Sequence, residues 1–178
     1  MSRIFMVIIA TGILLFGLIV ITSFAPLQSI FAINQGNCPS LNFLWAHTYD
    51  NARLKEHNPA CVILEGILGP PHENDEGDGD LKFIIKPDKG FSDLMNKYNT
   101  KGMVIEIICW DKPKQDYIAK WGNYCHGVDP RSHIPTDLKQ GDHVRVTGKW
   151  VQDVGHPGFV THDPWNEIHP VEKIEKIP

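Results

Sequence analysis

Between Arg3 and Asp50 this 178-residue chain carries no formally charged side chain. It also lacks any basic run: 17 Lys and Arg are scattered among 21 Asp and Glu, for a formal net charge of −4. That balance argues against a strong electrostatic grip on nucleic acid or any other polyanion. The aromatic residues have no interleaved basic neighbours of the kind a single-strand groove needs. There is no C-x-x-C pair, which removes the zinc-knuckle reading. A nucleophile elbow G-x-S-x-G, a P-loop and a dinucleotide G-x-G-x-x-G are all missing, and with them the commonest signatures of acyl-transfer, nucleotide and redox enzymes. No internal repeat or heptad is present.

The uncharged stretch from Ile4 to Ala25 is long enough to span a bilayer, since about 20 apolar residues at roughly 1.5 Å each cover a hydrocarbon core of about 30 Å. Arg3 and the amino terminus form a positive flank, which predicts the N-terminus inside and the remainder outside. Residues 1–33 therefore read as a transmembrane signal-anchor or a signal peptide. Length favours a retained anchor, and so does Pro26 directly after Ser23-Phe24-Ala25; Ala32 offers a second cleavage position. Either outcome exports the rest of the chain, a lead-in segment at 34–58 and a domain at 59–178. The expected partner is the membrane itself, with a membrane protein beside it.

Four cysteines, Cys38, Cys61, Cys109 and Cys125, suit an oxidising compartment and allow three pairings. Cys109 closes a predicted strand and Cys125 follows a predicted short helix. That favours Cys109–Cys125 as a local clamp, with Cys38–Cys61 tying the lead-in segment to the first strand.

Five β segments are predicted: Cys61 to Leu68, Leu81 to Ile85, Met103 to Cys109, His143 to Val151, and Trp165 to Ile177. Asn58-Pro59 is expected to break the chain before the first of them, and Gly69-Pro70-Pro71 to end it. In the second, Leu81, Phe83 and Ile85 share one face, with Lys82 and Lys86 opposite. In the fourth, Val144, Val146 and Trp150 point inward, and His143, Arg145, Thr147 and Lys149 outward. Tyr117, Ile118 and Trp121 mark a short helix from Lys114 to Trp121, between strands three and four. The fold class is mainly β. Five short strands with that helix point to an OB-fold-like five-stranded barrel, preceded by an N-terminal transmembrane helix, with a β-sandwich as the alternative.

Alternate residues of a strand share a face, so Trp165, Glu167 and His169 point the same way. In an OB-like barrel the loop between strands one and two and the loop between strands four and five flank the ligand face. The first, His72 to Asp80, is acidic; the second, Gln152 to Pro164, carries Asp153, His156, His162 and Asp163. Carboxylates and imidazoles together suit a divalent metal. The candidate metal ligands are Asp78, Asp80, His162, Glu167 and His169. The candidate ligand-binding residues are Trp165, Glu167, His169 and Glu106. Structural roles compete with these: Glu167 as a cap on loop amides, and His169-Pro170 as a strand bend.

Two resemblances attach to these residues. Asp78-Gly79-Asp80 before an apolar strand resembles the aspartate turn of thermonuclease-like OB enzymes, but Arg131 and Arg145 lie in no matching context. A broader set resembles a family of small exported or lipid-facing microbial domains of unknown function. Its pieces are Tyr49 to Leu54, Cys61 to Gly66, Asp78-Gly79-Asp80, Glu106 to Cys109, Gly141 to Gly148, and His162 with Trp165 to Val171. The family pattern places its histidine one residue closer to the tryptophan than His162 stands here. The resemblance implies an OB-like barrel with a shared polar site and no known activity. Three functions are expected from these readings: a membrane-anchored, extracytoplasmic binding or accessory module; a metal-dependent hydrolase of the phosphodiesterase or nuclease kind, with Glu167 or Glu106 as base; and a structural subunit of a membrane assembly.

Overall fold

A computed structural model describes residues 36–38, 54–72, 77–123, 125–154 and 164–178. These all belong to one compact unit, Phe31–Pro178. The apolar run at 4–25 lies outside the described residues, as do His156, His162 and Asp163. Among the described residues no helix is long and apolar enough to cross a membrane.

The strands are β1 (Leu54–His72), β2 (Leu81–Pro87), β3 (Met103–Ile107), β4 (His143–Asp153) and β5 (Trp165–Lys176). A short helix, α1 (Gln115–Trp121), falls between β3 and β4 as expected, and a 3-10 turn at Lys89–Leu94 comes after β2. The sheet runs β1-β2-β3-β5-β4, and β4 pairs back onto β1, so the five strands close in a ring. The β3–β5 contact is parallel and the other four are antiparallel.

Period-two alternation puts apolar residues inside the ring. Leu64, Phe83, Ile85, Met103, Ile105, Ile107, Val144, Val146, Trp150 and Ile168 form its core. One end is closed by the chain after β2. There Trp150 Nε1 donates to the Leu94 carbonyl at 3.0 Å, and Asn166 Nδ2 donates to the same oxygen at 2.8 Å. Asn99 completes that seam by accepting from the Asn166 amide and donating to its carbonyl. Asn166 thus faces inward, which is why its neighbours Trp165 and Glu167 face outward.

Three expectations are corrected. Asn58-Pro59 does not precede the first strand but lies within β1, where the peptide is cis and the register against β4 shifts between Glu56 and Cys61. An irregularity accommodates a proline that has no N–H for the ladder. Likewise Gly69-Pro70-Pro71 does not end β1, because pairing with β2 resumes at Pro71 and His72. In contrast β3 stops at Ile107, and Cys109 (φ 59°) turns the chain into the left-handed region. Thr147 and Lys149 face outward as expected, and there they are buried. The lead-in segment covers Thr147, with Gly36 bonded through its amide to the Cys61 carbonyl at 3.1 Å. Lys149 Nζ pairs with Glu56 at 2.9 Å.

Both expected disulfides are present, Cys38–Cys61 and Cys109–Cys125. Non-reducing peptide mass mapping is expected to recover these two linkages; four free thiols would refute the oxidised state. Removing Cys109–Cys125 by paired Ser substitutions should cost about 3 kcal/mol, as for a closed loop of roughly 15 residues.

Candidate functional site

The outer face of β2, β3 and β5 carries buried charge. Glu106 stands opposite Lys82 in the β2–β3 register. Across the parallel seam Val104 pairs with Glu167 and Ile105 with Ile168, so the next step sets Glu106 beside His169. One row of the sheet therefore reads Lys82, Glu106, His169, and the next outward position along β5 is Glu167.

These groups are in contact. Lys82 Nζ lies 2.9 Å from Glu106 Oε1. His169 Nδ1 lies 3.1 Å from Glu106 Oε2 and donates to Glu167 Oε1 at 3.0 Å. Trp165 Nε1 donates to the other oxygen of Glu167, also at 3.0 Å. Glu167 is thus held by two side chains, and among the described residues no loop amide donates to it. Glu106, Glu167 and His169 are 2%, 1% and 5% exposed, so these three are buried although they lie outside the ring.

Asp80 joins the row from the turn before β2. One of its carboxylate oxygens accepts from the Cys109 amide at 2.7 Å. The turn is fixed by backbone bonds from Asp111 to Gly79 and from Lys114 to Gly77, each 2.8 Å. Gly79 (φ 90°) is required there, since a Cβ would come within 3.1 Å of the Asp111 backbone and of the Pro113 nitrogen. Donor atoms of Asp80, Glu106 and His169 all fall within 4.8 Å of one another.

Electrostatics follow from burial and crowding. Burial, then the Glu106 and Asp78 carboxylates, hold Asp80 well above the ordinary value of 3.8, against the lowering effect of the Cys109 amide. At His169 burial acts to lower the pKa, but Glu106 and then Glu167 outweigh it and push it up from 6.5 to about 10. The imidazole is accordingly cationic at neutral pH in the metal-free state.

The structure thus brings together Asp80, Glu106, Glu167 and His169, with Trp165 on the flank. Asp78 is adjacent but turned to another task, accepting the Asp80 amide at 3.1 Å. His162 lies outside the described residues. The loops around the face leave the ring at opposite ends: Asp153 and Trp165 pair near Leu54, whereas β1 runs into the acidic loop from its other end. What meets on the described face is Asp80, the last residue of the acidic loop, with side chains of β3 and β5. The Cys109 and Cys125 sulfurs also lie within 4.8 Å of Asp80, but as a disulfide they brace the turn and offer no thiolate. Lys82 was legible as outward-facing and not as a partner of Glu106. Arg145 pairs instead with Glu65, and Arg131 with Trp110 and Asp111.

Comparison with protein-family models, with curated proteins and with solved structures finds no match.

Proposed function

We propose that this domain is an extracytoplasmic OB-like binding module whose ligand is a divalent cation held by Asp80, Glu106 and His169. The observation that carries the reading is the convergence of two carboxylates and an imidazole, from three elements, within 4.8 Å. Metal–donor bonds of about 2.0–2.2 Å put ligands of one ion roughly 3–4 Å apart, so only a small contraction is needed. A mixed oxygen and imidazole set suits zinc, manganese or nickel better than calcium or magnesium. With the ion on His169 Nε2, Glu167 would hold Nδ1 and so orient the ring, and Trp165 would orient Glu167, in the manner of outer-sphere partners at metal sites.

The strand order and the α1 position support the OB-like assignment, in which the outer face of strands two and three is the usual ligand face. Two disulfides support an oxidising, extracytoplasmic setting. The run at 4–25 supplies the membrane anchor in this reading, single-pass if retained.

The hydrolase reading has one observation in its favour, a lysine beside the carboxylates. The cluster is nearly sealed from solvent, however, and a phosphodiester needs an open cleft. A structural-subunit reading gains little: among the described residues Ile67 is the sole exposed large apolar side chain.

Elemental analysis of the purified protein is expected to find about one transition-metal ion per chain, lost from Glu106→Gln. Equal metal content in the two proteins would remove the site.

A further inference from the structure

Lys82 has the geometry of an ion substitute. Its ammonium sits 2.9 Å from one oxygen of Glu106, while the other oxygen of that carboxylate faces His169. It also differs from the rest of the row in access. Its side chain is 21% exposed where that of Glu106 is 2% exposed. A lysine is a compact charge on a flexible four-carbon stem, able to leave for water without moving the backbone.

We propose that Lys82 is a tethered competitor for the cation. This rests on the cation-site reading above and deepens it. With no ion bound, the ammonium and the His169 imidazolium together neutralise Glu106, and an ion held by His169 also releases the imidazole's proton to solvent. When an ion binds Glu106, the two positive charges would be neighbours at a buried carboxylate, where repulsion is far stronger than in water. The ammonium therefore swings outward, and each binding event displaces it. Affinity is set lower than the donor set alone would give, so the cation exchanges with its surroundings. A site of this kind takes up and releases ions, unlike a closed structural site that holds one for the life of the fold.

The test is a titration of the full chain with Zn2+, and separately with Mn2+, in competition with a chromogenic chelator. Lys82→Met should bind at least tenfold more tightly than wild type, equivalent to about 1.4 kcal/mol. Lys82→Arg, which keeps the charge, should stay within about threefold of wild type. Adding Glu106→Gln to Lys82→Met should abolish binding. Lys82→Met binding equal to or weaker than wild type, with binding still lost in Glu106→Gln, would overturn the competitor role and leave the cation site standing. No binding by any of these proteins would overturn both. Should Lys82→Met fail to fold in chelator, as judged by circular dichroism, Lys82→Gln carries the same expectation.

Discussion

In chelator, His169→Ala is expected to cost about 3–5 kcal/mol of stability, read from urea midpoints at constant slope. The imidazolium is the charge shared by Glu106 and Glu167, at 3.1 and 3.0 Å. Its removal leaves Glu167 held by the Trp165 N–H, and leaves Glu106 more dependent on Lys82. Both carboxylates are buried, so water cannot replace the lost contact cheaply. His169→Gln, whose amide can still donate to one carboxylate, should lose less. The pH dependence has a definite sign. A histidine raised from 6.5 to about 10 in the fold contributes fully below 6.5 and loses that contribution as pH climbs through 10. The raised Asp80 carboxyl acts in the same direction, its contribution being present in the protonated form and lost as pH rises. Metal-free wild type should therefore weaken between pH 6.5 and 10, and His169→Ala should show a flatter profile there. A wild-type profile as flat as that of the variant would contradict the buried ion set.

Gly148→Ala should cost about 3 kcal/mol, the upper end for overpacking a filled interior. A Cβ at this position would collide with Ile168 Cγ2 and would meet the Pro170 carbonyl oxygen at 2.7 Å and Val171 Cα at 3.0 Å. Two of these three are backbone atoms of β5, so no rotamer change relieves the clash and the strands must part. The register of β4 against β5 is already irregular on both sides of Gly148. Because the displaced segment of β5 includes Pro170, directly after His169, cation affinity should fall together with stability. Gly90→Ala is the matched control: nothing lies within 4 Å of its Cβ position, and its effect should be within about 0.5 kcal/mol. Equal thermal midpoints for the two variants would show that the β4–β5 contact yields to an added methyl group.

Much of this could be read from the chain alone, and for a local reason. The outward triplet Trp165, Glu167 and His169 follows from period two, which is a property of any strand. The inward set Val144, Val146 and Trp150 follows from the same rule, as does the inward pair Phe83 and Ile85. Cysteine placement relative to the predicted strand and helix was enough to favour Cys109–Cys125. Local rules failed where tertiary context reverses a preference. Asn58-Pro59 reads as a break, yet β1 continues through it with a shifted register. Lys149 reads as outward, and alternation could not show that it is buried there and paired with Glu56.

The sequence by itself determined which side chains share a face of each strand, because alternation needs only neighbours along the chain. It also determined that four cysteines and a short helix would accompany five β segments. Only the tertiary structure decided that Lys82, Glu106 and His169 form one row. Register between strands separated by tens of residues depends on how the whole ring closes, through the bulges in β1 and the parallel β3–β5 seam. The same closure decided that Glu106 and His169 lie buried on the outside of the ring, where burial and mutual charge give the His169 imidazole and the Asp80 carboxyl their altered proton affinities.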